Sequence, residues 1–227
     1  MLAGHLGDAE TVLEALDDPA PEVRAAALGA AHRIGIVDGP LLVDALRDDA
    51  PLVRRRAVLV AATCDVALNE LGETLDDPDA GVVETAAFAC GERGDATEPV
   101  VRRLLELSAR HDDSLVREAA IAAIGSLGGL GVIDRLGLHD DAVAAVLRAA
   151  TDRATVRRRA VIASAAFDDD RIDTLVAALL EDRDLQVRQI AEDLLAEGTA
   201  EGTAENPLDA ATLDHATLED DTSDHPG

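Results

Sequence analysis

Six histidines, two cysteines and three runs of arginine are the residues of this chain whose chemistry could reach beyond packing. The histidines are His5, His32, His111, His139, His215 and His225, and none is followed by glutamate. A metal centre needs several convergent ligands, and the nearest grouping, His111-Asp112-Asp113, reads as a solvated turn. Cys64 and Cys90 stand apart, without Cys-x-x-Cys spacing, beside Ala61-Ala62-Thr63 and Ala87-Phe88-Ala89. Thiols in such apolar helical surroundings pack rather than react, and a reduced, cytoplasmic setting is expected. Arg54-Arg55-Arg56, Arg102-Arg103 and Arg157-Arg158-Arg159 form positive spots at helix starts, where flanking aspartates are expected to engage them in preference to phosphate. Gly125 to Gly131 is glycine-rich but lacks the Lys-Ser/Thr of a phosphate loop, and no dinucleotide fingerprint, nucleophile elbow or zinc spacing is present. No catalytic residue, metal ligand or cofactor is expected.

The charge balance narrows the partners. The chain carries 46 acidic residues against 20 basic ones, a formal charge of −26, and every basic residue is arginine. Such a field repels nucleic acid and anionic lipid, whose binding relies on displacing counterions with cationic side chains. With no Trp or Tyr and only Phe88 and Phe167 as aromatics, base-stacking platforms are missing as well. The composition fits either a GC-rich genome or a salt-rich milieu, where screening is strong. No secretory signal is read at Met1 to Asp8, and no apolar run approaches the ~20 residues of a membrane span.

The elements that must position these side chains come from one phrase written six times: an acidic turn, a valine, usually an arginine, then an alanine-rich run. Its valines are Val23, Val53, Val82, Val116, Val156 and Val187. A recurrence of this length indicates stacked supersecondary units. Each unit holds two helical stretches. Outer helices are expected at about 8–16, 39–47, 66–75, 97–109, 140–150 and 170–181, and inner ones at about 21–34, 51–63, 80–92, 114–127, 154–166 and 185–196. Aspartate in the turn caps the inner helix, proline suits its first turn, and glycine fits its end. Ala57 to Ala62 is apolar nearly all round, the mark of a helix covered on several sides. Between Val116 and Val156 the spacing stretches, and Gly128 to His139 reads as a bent linker with a short turn at Val132 to Leu136, a tolerated surface insertion. After Gly198 the chain carries carboxylates, no basic residue and few large apolar groups, so 198–227 is expected to be an acidic disordered tail, with a docking peptide around Leu208, Leu213 and Leu218 as the alternative.

This turn–Val-Arg–Ala-Ala rhythm resembles the HEAT repeat, in particular the short bacterial and archaeal form also called the phycobilisome-lyase HEAT-like repeat. Gly94 to Leu105, continuing to Val116-Arg117-Glu118-Ala119-Ala120, follows it closely. The resemblance implies an all-α, right-handed alpha-alpha superhelix of about six hairpins over 1–197, with alanine-rich inner helices on the concave side. It also implies a ladder between turn aspartates (Asp18, Asp49, Asp113, Asp152, Asp182) and arginines (Arg24, Arg54, Arg117, Arg157, Arg188). The ladder should break in the third unit, where Val83 replaces arginine and Asp77 is left to cap amides. HEAT-like hydroxylases need His-Glu pairs, and HEAT-like glycosylases need a basic groove with aromatics; neither is present. Bilin lyases share the scaffold, but no chromophore residue carries over. The expected function is therefore a non-enzymatic scaffold presenting its concave face to a protein or peptide, with a basic segment favoured by the acidic field. Arg24, Arg54, Arg55, Arg117, Arg157, Arg158 and Arg188 are the candidate ladder or partner contacts. A bilin-lyase-like or other modifying role in the groove is the alternative, and nucleic-acid binding comes third.

Overall fold

The computed structural model describes residues 9–64 and 68–202, and every regular element among them is helical. The order is α1 (Ala9–Ala15), α2 (Pro21–Arg33), α3 (Gly39–Leu46), α4 (Pro51–Ala61), α5 (Leu68–Glu73) with a 3-10 turn (Thr74–Asp76), and α6 (Ala80–Gly91). There follow α7 (Glu98–Arg110), α8 (Ser114–Gly129), α9 (Val132–Arg135), α10 (His139–Ala149), α11 (Ala154–Ser164), α12 (Asp170–Leu179) and α13 (Leu185–Gly202). Inner helices α2, α4, α6, α8, α11 and α13 stack successively, each packed on the next, while α1, α3, α5, α7, α10 and α12 form the outer row. The result is an α-solenoid. α13 runs past the boundary expected at 197; residues 203–227, with His215, His225 and the leucines at 208, 213 and 218, lie outside the described residues, as does His5.

Local sequence explains the starts of the helices. Pro21, Pro40 and Pro51 occupy first-turn positions, where a missing N–H costs nothing. Asp38, Asp79, Asp113 and Asp169 accept hydrogen bonds from the amides of Leu41, Val82, Leu115 and Arg171 at 2.8–3.1 Å. The register valines Val82, Val116, Val156 and Val187 are fully buried, and Leu28, Leu42, Leu104, Ile121, Ile124 and Leu127 carry the centre of the core.

The insertion differs from the expected bent linker on the surface. Gly128 and Gly129 remain helical within α8, and the chain turns only at Gly131, where φ of +67° suits glycine. Val132 and Ile133 are fully buried, so α9 fills a core layer and does not hang from the solenoid. Arg135 donates to the Gly94 carbonyl at 2.9 Å. His139 stands between Asp134 (2.9 Å) and Asp169 (3.5 Å) and meets Phe167 edge to face.

Candidate functional site

The candidate arginines divide into a buried ladder and a solvent-facing set. In the ladder each arginine joins two turns. Its Nη1 donates to a carbonyl of its own turn, and its Nε and Nη2 clasp the carboxylate of the following one. Arg24 bridges the Asp18 carbonyl (2.9 Å) and Asp48 (2.8 and 2.7 Å). Arg54 bridges the Asp48 carbonyl (2.9 Å) and Asp77 (2.7 and 2.8 Å). Arg117 bridges the His111 carbonyl (2.7 Å) and Asp152 (2.7 and 2.8 Å). Arg157 bridges the Asp152 carbonyl (2.8 Å) and Asp182 (2.9 and 2.8 Å). Arg188, in the last described unit, donates to the Asp182 carbonyl at 2.6 Å and clasps no carboxylate among the described residues.

This geometry corrects the expected partners. Asp48, the first aspartate of its turn, is the main partner of Arg24, and exposed Asp49 adds a single contact at 2.7 Å. Asp113 caps α8 and is no rung, while Asp18 accepts the Ala20 amide. Asp77 does cap, accepting from the Asp79 amide at 2.8 Å, yet Arg54 holds it as well. The break falls one interface later than expected, and both members change. Val83 carries no guanidinium, and the facing turn offers His111, whose Nδ1 accepts the Asp113 amide at 3.1 Å. Hydrogen bonds from Arg24, Arg117 and Arg157 hold Asp48, Asp152 and Asp182 below the usual carboxylate range.

The cysteines take no part in the ladder, although Arg93, paired with Asp95, donates to the Cys64 carbonyl at 2.8 Å. Cys90 is buried in α6, and that burial pushes its thiol up to about 12, which keeps it protonated and inert. Cys64 follows α4, half-buried, with its sulfur 3.7 Å from His32 Nδ1. Among the described residues no three His, Cys, Asp or Glu side chains gather into a group able to hold a metal ion.

Of the candidates outside the ladder, Arg55 lines a trough of about 720 Å³ along α4, α6, α8 and α11, with Arg159 at its other end. Its floor is small residues: Ala119, Ala122, Ala123, Gly125 and Ala166. Large apolar side chains stand up from it. Phe88, Leu115 and Ile162 are 52%, 51% and 47% exposed, and Leu59, at the register of Phe88 and Ile162 but outside this lining, is 45% exposed on α4. Glu84 and Glu118 line the same stretch, with Glu92 beside them. At the C-terminal end Arg158 reaches Asp184 (3.1 Å) and Arg159 reaches Glu118 (3.6 Å). At the N-terminal end Arg55 and Arg56 are exposed and make no ion pair within 4 Å among the described residues. A second groove, of about 770 Å³, crosses outer helices α7 and α10; there Arg102 and Arg103 are bound by Glu98, Glu106 and Asp76.

The exposed apolar residues of the inner helices were hidden in the sequence. The all-apolar run Ala57 to Ala62 reads as a helix covered on several sides, but Leu59 faces solvent. The available signal was that run itself, because an inner helix of a single-layer stack has one side with no neighbour to cover it.

A family model for HEAT repeats matches residues 39–125 and 68–151. Among solved structures, a designed armadillo repeat protein in complex with the peptide (KR)4 is similar at a TM-score of 0.61, with 17% identity over 84% of this chain and 99% of that one. An engineered protein reaches a TM-score of 0.63 at 21% identity, over 86% of this chain and 99% of its own. Computationally designed armadillo repeat proteins for modular peptide recognition reach 0.58 at 16% identity, over 83% and 99%. Identities this low establish the solenoid fold and nothing finer. No curated protein matches the sequence.

Proposed function

We propose that this chain, a HEAT-repeat protein, is a non-enzymatic scaffold whose trough receives a peptide segment carrying apolar and basic side chains. The observation that carries the reading is the uncovered group Phe88, Leu115 and Ile162, standing over an alanine and glycine floor beside Glu84, Glu92 and Glu118. Large apolar groups left about half exposed together, rimmed by charge, are the physical signature of a partner surface. The carboxylates supply complementarity to a basic segment and steer its approach. The similar designed protein is complexed with a (KR)4 peptide, which supports the same chemistry here. The half-exposed apolar residues leave the trough open along its length, and openness favours a peptide over an enclosed small molecule.

The test is binding of a fluorescein-labelled peptide of alternating Lys-Arg and Leu, followed by anisotropy. Phe88→Ala should weaken it roughly 10- to 30-fold, the loss of a partly buried aromatic anchor. Glu84→Gln with Glu118→Gln should slow association and flatten the salt dependence. Equal affinity across wild type and all variants would remove the trough from the reading.

A further inference from the structure

The chain contains the triplet Arg-Arg-Arg twice, in the same register of two inner helices, and the two copies end up in opposite electrostatic states. In α11 the first arginine is a ladder rung, the second pairs with Asp184 of the following turn, and the third pairs with Glu118 of the preceding inner helix. In α4 the first is again a rung, through Arg54 and Asp77. The other two have no such partner. The residue equivalent to Glu118 is Ala25, and among the described residues no carboxylate of α2 pairs with Arg56. The residue equivalent to Asp184 is Asp79; both accept from the amide of their register valine, but only Asp184 also forms an ion pair with the arginine facing it.

Arg33, at the end of α2, joins them. A Cβ placed on Gly29 would lie 3.6 Å from Arg33 Nη1 and 3.6 Å from Arg56 Nε and Cζ, so two guanidiniums converge over one glycine. Arg55, on the other side of α4, lies across Gly81, whose Cβ position is 3.6 Å from its Nη1 and 3.1 Å from Asp79 Oδ1. All three arginines are exposed, and none has a carboxylate within 4 Å among the described residues. In a protein of charge −26, three exposed guanidiniums on adjacent helices, none in an ion pair among the described residues, form a local island of opposite sign with Asp79 at its edge. Over a Debye length of about 8 Å this island, and not the distant net charge, sets the local potential.

We propose that Arg33, Arg55 and Arg56 form an anion subsite at the N-terminal end of the trough, which takes carboxylates of the bound peptide and so fixes its direction. The inference rests on the trough being a peptide site. It adds a requirement: the partner is charge-segregated, acidic over α2 and α4 and basic-apolar over α6 and α8. Paired guanidiniums suit carboxylates because each presents a planar fork able to hold both oxygens. Neighbouring helix axes lie about 8–10 Å apart, and an extended peptide advances about 3.3 Å per residue. The acidic and basic blocks should therefore sit about three to six residues apart.

Three labelled peptides test this by anisotropy at fixed salt: the Lys-Arg/Leu peptide, the same peptide with Asp-Glu-Asp four residues from its basic block, and Asp-Glu-Asp alone on a Gly-Ser carrier. The second should bind at least tenfold more tightly than the first. Arg55→Gln with Arg56→Gln, on exposed side chains whose loss leaves the helical circular dichroism intact, should abolish that gain and spare the first peptide. Equal affinity of the first two peptides for wild type overturns the subsite while leaving the basic-peptide reading intact. Failure of the first with arginine-dependent binding of the second or third does the reverse. Binding of neither block overturns both.

Discussion

Two glycines of α8, one turn apart, should respond to the same substitution with opposite signs. At Gly125 an added Cβ would lie 2.8 Å from both Cα and Cβ of Ala163 on α11; at Gly129 it would meet nothing within 4 Å. In a helix interior Gly→Ala gains about 1 kcal/mol of propensity, and near a helix end somewhat less, largely by restricting the unfolded chain. Gly129→Ala should therefore stabilise by about 0.5 kcal/mol. At Gly125 the same gain opposes a steric cost. Restoring an ordinary contact of 3.4 Å requires α8 and α11 to part by about 0.6 Å, and the obstructing atoms are backbone and Cβ, which have no rotamer to escape into. Overpacking of this kind costs about 1–3 kcal/mol, and parting the helices also loosens every other contact along the interface. Gly125→Ala should be net destabilising by about 1–2 kcal/mol. At about 2–4 °C per kcal/mol for a chain of this size, melting followed by circular dichroism should fall by roughly 2–8 °C, while Gly129→Ala rises by about 1–2 °C. Because solenoid unfolding need not be two-state, the lowest-temperature transition is the one to compare. A Gly125→Ala protein that melts with or above Gly129→Ala would refute the close approach of α8 and α11.

The ladder and the His139 clamp make two further tests. Arg157 and Asp182 form the most buried rung, with side chains 4% and 10% exposed; a double-mutant cycle on Arg157→Met and Asp182→Asn should return a coupling of about 1–3 kcal/mol. Since its carboxylate titrates lower in the folded chain than in the unfolded one, that stabilisation is complete above about pH 4 and lost as pH falls through the folded value, and the coupling measured at pH 3 should shrink accordingly. His139 runs the other way. Its hydrogen bond to Asp134, aided by Asp169, raises its pKa above 6.5, so its contribution holds at low pH and is lost as pH rises through the folded value. Its ring resonance should titrate above 6.5, and His139→Gln should remove the loss of melting temperature between pH 6 and 8.5; a midpoint below 6.5 would contradict the clamp.

The stacking of hairpins was legible because the units share local signals: an aspartate in every turn, a first-turn proline in the first two inner helices, and a register valine that is buried in five of the six units. Those signals act within a few residues and so survive in one dimension. The rungs were legible only in part. The arginines stand at fixed register, but which aspartate each one clasps depends on how far one turn is displaced from the next. That displacement is why Asp48 takes the place expected for Asp49, and why Asp77 accepts from Arg54 as well as from an amide. The exposed side of the inner helices was the least legible part. An exposed Leu59 and a buried Val58 look alike in a run of apolar letters, and only the single-layer stacking distinguishes them. The unequal fates of the two arginine triplets are equally hidden, since Glu118 and Ala25 lie 41 and 31 positions from the side chains they serve or fail to serve.

At the interface without a rung, Val83 stands where the other units carry arginine. In the structure Val82 and Val83 are buried to 0% and 2% exposure, and the turn that would have offered an aspartate offers His111 instead. No carboxylate is therefore left stranded without its guanidinium, the circumstance in which losing half of a buried pair is costly. Replacing a buried ion pair by packed apolar groups is often neutral or favourable. The packing supports that outcome: a Cβ on Gly91 would lie 2.6 Å from the Ala123 backbone, closer than the 2.8 Å at Gly125, so α6 and α8 approach at least as tightly as α8 and α11. The same α6 presents Glu84 and Phe88 to the trough, with Glu92 at its C-terminal cap. Where the ladder gives up its rung, the stack is held by apolar contact, and the helix so held is the one that carries the centre of the proposed binding surface.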